Sequence, residues 1–443
     1  MNGEFQNGKI PLLTKVIITM SPLINDIKII KSFISKGVTI FRINFSHGSA
    51  EEHKKVIENL RKASKDLDKV ITICLDTKGQ EFRISLIDSS EINVKKNDTL
   101  TFSRKKQSNS IFVPIKDFTV LKTGMKFYLD DGMLTLEVVE LGYDHIKGKA
   151  LNSHRLKNNK KANFPGIEFP DDNLNNENKK DILFGVQNNI DVIFASFILS
   201  KENVLKIKEI ADGIPVYSKI EAVKAIDNID DIIDISDGIM VARGDLGVET
   251  GFIEMFGVQK DVSNKCIKKF KPVICATQML ESMTSSTIPL RSEISDIGNA
   301  VLDEYDALML SGETAVGSNP LLCADYMMEI INNAEKYVES TGTGCKCPFI
   351  GKNKSTCIIL ETNDLKTINW LYQMRLGVIT YVFSSNCKLL SVINLYRGMI
   401  PLIKKTESVT DLANRLKAEF GYKRVLLFYF AKDSECLKKI EVF

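Results

Sequence analysis

The stretch GIMVARGDLGVE, residues 238–249, passes from an apolar run straight into Arg243-Gly244-Asp245. Short apolar runs that end this abruptly in charge are what strands buried on both faces of a parallel sheet look like where they surface. The tripeptide is also an adhesion signal, a role that needs an exposed loop in an extracellular protein. The rest of the chain argues against that role. Seven other runs have the same form: KVIITMS, VTIFRINFS, VITICLDTKG, DVIFASFI, IPVYSKIE, PVICATQM and DALMLSGET. Amphipathic segments such as NDIKIIKSFISKG and SAEEHKKVIENLRKAS separate most of them. Eight buried strands alternating with helices are the count of an α/β (β/α)8 TIM barrel.

Two segments break the alternation. Between Arg83 and about Lys161 the pattern has period two, as in KFYLDDGMLTLEVVEL, and predicts an all-β insertion after the third strand with DDG as a turn. After about residue 337, ESTGTGCKCPFIGKNKS reads as a linker, and TCIILETND, VITYVFSS, MIPLIKK and VLLFYFA alternate with helical stretches beyond it. The expected organisation is a barrel over 1–83 and 162–336, an inserted small β-barrel lid over 84–161, and a C-terminal α/β domain over 337–443.

The chain has 443 residues, 59 basic and 56 acidic, for a net charge of +3. That balance makes no electrostatic case for nucleic acid or a membrane surface. No apolar run approaches a membrane span, and the N-terminal stretch lacks the core of a secretory signal. Nine cysteines without a repeating spacing fit reduced thiols in a cytoplasmic protein. Cys345 and Cys347 are clustered but have no partner pair, and the four histidines form no metal pattern.

In a barrel of this kind the active site lies at the C-terminal ends of the strands. The second run ends in Arg42, Asn44, Ser46 and His47, and the third in Asp76, Thr77 and Lys78. The fifth ends in Lys219 and Glu221, the sixth in Arg243, Gly244 and Asp245 on a neighbouring strand, the seventh in Thr277 and Gln278, and the eighth in Ser311, Gly312 and Glu313. One charge at a strand end marks only where the strand surfaces, but six such ends converge on one mouth. Lys219 and Glu221, two apart, point the same way on a strand and read as an ion pair or as catalytic groups. The two carboxylates Glu221 and Asp245 suit a magnesium ion that keeps several waters, while Arg42 and Lys219 supply positive charge for a phosphoryl group. Asn44, Ser46, Asp76 and Thr77 read either as an oxygen cage for a monovalent cation or, for the first two, as a hydrogen-bonded turn. Ser311 and Glu313 read as a proton relay or as a helix cap.

FRINFSHGS, LDTKGQEFR, YLDDGML, SKIEAV, MVARGDLGVE, PVICATQMLESM, NAVLDEYDALMLSGETAVG and NLYRGMIPL stand in the order seen in pyruvate kinases. The chain resembles that family from about Thr14 to its end, densely over the barrel and thinly beyond residue 340. The resemblance implies transfer of the phosphoryl group of phosphoenolpyruvate to ADP. It further implies that Arg42 and Lys219 neutralise the group in flight, and that Glu221 and Asp245 hold Mg2+ or Mn2+. The amides of Ala242 and Gly244 would lie near the substrate carboxylate beside Thr277. Asn44, Ser46, Asp76 and Thr77 would bind K+, with Pro22, Asn44, His47, Arg83 and Lys161 near the nucleotide. Thr277, Ser311 and Glu313 would serve a water relay to the enolate. A homotetramer is implied, with a dimer as the alternative.

The chain also departs from the family. The insertion is short, Gln80 stands where proline is usual and Ser21 where glycine is usual, and Leu290 and Ser292 replace smaller residues. Glu81 matches members that need potassium, which predicts potassium dependence. LETNDLKTINWL, with Asp364, replaces the hydroxyl- and glycine-rich phosphate cradle of a sugar-bisphosphate site, and no glycine follows in FYFAKDSECLKKIEVF. No activation by fructose bisphosphates is therefore expected. A catalytically inactive relative kept for binding is the alternative reading, although Lys219, Glu221, Asp245 and Thr277 are all present.

Overall fold

The computed structural model describes residues 10–79, 81–167, 176–341, 355–430 and 437–442. Gln80, Cys345 and Cys347 lie outside them. All eight apolar runs are strands of one closed parallel barrel: β1 Lys15–Thr19, β2 Ile40–Asn44, β3 Thr72–Asp76, β4 Val192–Ala195, β5 Val216–Ile220, β6 Gly238–Ala242, β7 Val273–Ala276 and β8 Ala307–Leu310. Each pairs with its sequence neighbours, and the ring closes where Ile18 of β1 lies opposite Leu310 of β8. The strands are buried on both faces, which is why they read as continuous apolar runs rather than alternating ones.

Local sequence sets the helices between the strands. Helix Ile27–Lys36 starts at Asp26, whose carboxylate accepts from the backbone N–H of Lys28 and Ile29. Helix Ala50–Leu67 starts with a reciprocal capping box of Ser49 and Glu52. Their apolar faces, with Ile30, Phe33, Val56, Ile57 and Leu60, cover the outside of β1 to β3. Inside the barrel, Ile17, Phe194, Tyr217, Met240, Ile274 and Met309 fill the axis. Gly238 is required there: a Cβ on it would come within 2.1 Å of the Tyr217 ring opposite it on β5.

The segment 82–163 forms an eight-stranded sheet with its own core, together with a separate two-stranded pair. Phe82–Arg83 and Ser85–Leu86 occupy its two edges and are joined through Ile84, so one short segment supplies both edges and the sheet curls round on itself. The DDG turn sits between strands Lys126–Leu129 and Leu134–Leu141, with Asp130 and Asp131 both at φ 54°. The C-terminal sheet has parallel strands Thr356–Glu361, Thr380–Ser384, Met399–Ile403 and Arg424–Phe430. An antiparallel edge strand, Leu437–Val442, was not apparent from the sequence. The described cysteines are free thiols: five are buried and Cys387 is exposed.

The C-terminal segment seals the N-terminal end of the barrel. Leu395 is buried in the axial core. Asp306, fully buried just before β8, accepts from the Tyr372 hydroxyl (2.7 Å), the Arg397 N–H (3.0 Å) and the Arg375 guanidinium (3.1 and 3.2 Å). With this end plugged, the open mouth is at the C-terminal ends of the strands, as barrels of this class require.

Lys15, at the start of β1, is buried at the sealed end. Burial lowers its pKa to about 7, with Glu335 opposing the shift and Arg397 adding to it. Between that value and the ordinary lysine value the unfolded chain binds a proton that the folded chain does not, so stability from this group rises with pH across the window. Lys15→Met conserves volume and removes the penalty. It is expected to raise the melting temperature at pH 7 and below, with the gain fading towards about pH 10. Thermal unfolding from pH 6 to 10 measures this, and a variant no more stable than the parent at pH 6 contradicts it.

Candidate active site

The mouth carries a chain of charges running from β2 to the insertion. Arg42, in the middle of β2, donates from Nε to Asp76 Oδ2 at 2.6 Å and from a terminal nitrogen to Thr19 Oγ1 at 3.0 Å. Asp76 ends β3 and is fully buried, and its Oδ1 accepts from Lys219 Nζ at 2.9 Å. Lys219, on β5, lies 3.1 Å from Glu221 Oε1, as same-face neighbours two apart should. Across the mouth, Lys161 of the insertion donates to Asp245 Oδ1 at 2.5 Å and lies 3.6 Å from Glu81, which pairs with Arg83 at 2.8 Å.

The signs alternate along this chain with one exception, the two carboxylates Glu221 and Asp245. Burial raises the Glu221 pKa and the charge of Asp245 adds to that, against the pull of Lys219 and Lys161. Burial would also raise Asp76, but Arg42 and Lys219 outweigh it and hold that carboxyl below the usual range. For Lys219 burial disfavours the ammonium, yet Asp76 and Glu221 more than offset it and hold the pKa above that of ordinary lysine. Both lysines at the mouth are thus held charged by carboxylates, while Glu221 and Asp245 remain two adjacent carboxylates that share the pull of Lys161. A divalent cation fits that junction. Among the described residues no cluster of three or more His, Cys, Asp and Glu side chains gathers, so such an ion would complete its shell with water and substrate oxygens.

Asp245 is not on a strand. β6 ends at Ala242, and Arg243–Thr250 is a helix that carries Asp245 in its first turn. The three charged or small residues after β6 therefore divide. Asp245 faces the cavity, while Arg243 is buried away from it, donating to Asp296 at 2.6 Å and to the carbonyl of Thr277 at 2.8 Å. The Gly244 N–H donates to Thr277 Oγ1 at 2.7 Å. Thr277 has φ 71°, a left-handed conformation that a β-branched residue adopts only under strain, and it lines the cavity.

The cavity at this mouth has a volume of about 120 Å³, room for a small acid rather than a nucleotide, with Met240 and Met309 as its apolar floor. Arg42, Asn44, Ser46, His47, Asp76, Arg83, Lys219, Glu221, Ala242 and Asp245 also line it. Asn44 Oδ1 accepts from the Ser46 N–H at 3.2 Å, a local turn. Pro22 stands exposed at the first position of a short 3-10 helix, outside the lining. Ser311 and Glu313 are outside it too. Glu313 is fully buried and accepts from three backbone N–H groups, those of Met279, Leu280 and Ser311, while Ser311 Oγ is buried without a partner among the described residues.

Two residues at the end of β4 were missed in the sequence, because ASF continues the apolar run. Ser196 Oγ lies 2.7 Å from Lys219 Nζ and 2.6 Å from the Thr77 carbonyl. Phe197, at φ 52°, turns its N–H to Glu221 Oε2 at 2.7 Å and places its ring 4.8 Å from Lys161 Nζ. Gly79 makes room for both: a Cβ there would lie 2.7 Å from Ser196 Cβ and 2.6 Å from the Phe197 ring. That glycine in DTKG was the available signal.

A (β/α)8 barrel whose mouth combines an arginine–aspartate–lysine lattice with a pair of carboxylates defines an enzyme of the phosphotransferase class. The family model for the pyruvate kinase barrel domain matches residues 12–324. A pyruvate kinase of Encephalitozoon cuniculi is 38% identical, over 89% of this chain and 92% of that protein. One of Kluyveromyces lactis is 33% identical over 97% and 93%, and pyruvate kinase 2 of Candida glabrata is 32% identical over 100% and 94%. The chain belongs to the pyruvate kinase family.

Asp76 carries two of the site's cations, so its removal should be felt in folding as well as in activity. Asp76→Asn leaves Arg42 and Lys219 facing a neutral amide, and is expected to cost about 3 kcal/mol of stability. Urea unfolding measures it, and a loss below about 1 kcal/mol would mean the lattice is not an energetic unit.

Proposed function

We propose that the protein transfers the phosphoryl group of phosphoenolpyruvate to ADP, giving pyruvate and ATP. The observation that carries this reading is the Arg42–Asp76–Lys219 lattice standing directly beside the Glu221–Asp245 carboxylate pair. Arg42 and Lys219 stabilise the charge of the phosphoryl group in transit. Glu221 and Asp245 would hold Mg2+ or Mn2+, which would supply positive charge against the anionic substrate. The amides of Ala242 and Gly244, at the start of a helix, receive the substrate carboxylate beside Thr277. Ser311, whose hydroxyl has no partner among the described residues, serves with Thr277 as the water relay that protonates the enolate, and Glu313 holds the loops that present them. Pro22, Asn44, His47, Arg83 and Lys161 face the nucleotide, with the insertion 84–161 as a lid that excludes water.

Potassium dependence is part of the reading. Asn44, Ser46, Asp76 and Thr77 offer the oxygens, and Glu81, between Arg83 and Lys161, keeps a carboxylate at the mouth. Fructose bisphosphate activation is not expected. Asp364 caps helix Leu365–Gln373, its carboxylate accepting from the N–H groups of Lys366 and Thr367, so a fixed anion already occupies the helix start where a phosphate would bind. The assay is pyruvate production from phosphoenolpyruvate and ADP with magnesium. Turnover should fall when a non-binding cation replaces potassium at equal ionic strength, and should not respond to fructose 1,6-bisphosphate. No activity from the folded protein would move the binding-only reading to first place.

We also propose a cytoplasmic homo-oligomer, a tetramer or a dimer, working on small molecules without nucleic acid or membrane. No described helix is long and apolar enough to cross a membrane. Phe252, Ile253, Phe256, Leu290 and Ile294 stand exposed on the segments after β6 and β7, apolar surface that a second copy of this chain would cover. Sedimentation of the purified protein should give a multiple of the 49.7 kDa chain mass, and a monomer at micromolar concentration would contradict this.

A further inference from the structure

We propose that Ser196 is a positioning residue for phosphoryl transfer: its hydroxyl, anchored on the Thr77 carbonyl, aims the Lys219 ammonium at the reacting phosphoryl group. The proposal rests on the reading of Lys219 given above.

An ammonium has three N–H donors and rotates freely unless its acceptors stop it. Lys219 Nζ has three acceptors in the structure: Asp76 Oδ1 at 2.9 Å, Glu221 Oε1 at 3.1 Å and Ser196 Oγ at 2.7 Å. The two carboxylates keep the lysine charged, but both have other work. Asp76 also carries Arg42, and Glu221 faces Asp245 at the divalent junction. Ser196 is the neutral acceptor and stands at the shortest distance. Its own proton has two acceptors within reach, the Thr77 carbonyl at 2.6 Å and Asp76 Oδ1 at 3.2 Å, and the shorter bond to the carbonyl leaves its oxygen lone pairs facing the lysine.

The serine is held as firmly as the lysine it orients. Its N–H donates to Thr77 Oγ1 at 3.0 Å, and the Thr77 N–H donates to the Phe194 carbonyl at 3.0 Å, clamping the ends of β3 and β4 together. Only about 5% of its surface is exposed. If Glu221 is taken up by a divalent ion, Asp76 and Ser196 remain as the two fixed acceptors, and the third N–H is directed into the cavity. With Ser196 removed, one carboxylate alone orients the ammonium. The charge that attracts substrate persists, but its direction does not.

Direction matters in the transition state and little in the ground state, so the loss should appear in kcat rather than KM. Ser196→Ala is expected to lower kcat by about tenfold to a hundredfold, with the KM for phosphoenolpyruvate within about twofold of the parent. Ser196→Cys, near-isosteric but a poor hydrogen-bond partner, should show the same split with an unchanged melting temperature, and it secures the test if the alanine variant does not fold. A kcat within twofold of the parent in a folded variant, or a loss carried by KM, overturns the proposal. Lys219→Met, run in parallel, separates the two readings. If it keeps activity, the role of Lys219 itself fails. If it is inactive while both Ser196 variants turn over normally, only the positioning role fails.

Discussion

The site exists because the first and last strands of the barrel meet. Pairing of Lys15–Ile18 with Ala307–Leu310 closes eight strands into a ring, and closure turns strand ends scattered from residue 42 to residue 277 into one rim. The parallel ladder fixes the register, so all the strands release their chains at the same end. The C-terminal segment reinforces this by blocking the other end with Leu395 and by loading Asp306 with donors from Tyr372, Arg375 and Arg397. A buried carboxylate with five donors, the fifth being the Val273 N–H of β7, is stable only as long as all of them stay in place, so the seal couples the C-terminal sheet to the barrel.

At the rim, electrostatics rather than shape organises the chemistry. Positive and negative side chains alternate from Arg42 to Arg83 and are interrupted once, at Glu221 and Asp245. Alternation lets buried charges persist, because each is desolvated against an opposite neighbour. The interruption is where the chain of charges has room for a cation. The insertion takes part through Lys161, which reaches Asp245 and stacks over Phe197, so the same contact that ties insertion to barrel also touches the carboxylate pair.

In the C-terminal α/β unit a carboxylate of the chain itself fills a helix start. Asp364 caps its helix through its own carboxylate, satisfying the amide groups that an external phosphate would otherwise use. The helix gains a good N-cap, and its first turn is no longer available to an anion.

All eight barrel strands were legible in the sequence, because strands buried on both faces leave continuous apolar runs. So were the residues that line the cavity from β2, β3, β5 and β7, because charge directly after such a run has few other uses. Three things were not legible. Asp245 reads as a strand residue, and only the backbone turn after Ala242 puts it on a helix and sends Arg243 the opposite way, to Asp296. Ser196 and Phe197 read as a continuing strand, since hydroxyl and ring side chains are ordinary in one, and their role depends on Gly79 folding the β3 loop onto them. Leu437–Val442 carries charge on an edge and lacks the apolar signal. The sequence by itself determined the barrel, its mouth and the types of residue there, since each follows from local pattern. Which of those residues face one another was decided by ring closure, which brings together groups far apart in the chain, such as Asp76 and Lys219, 143 positions apart.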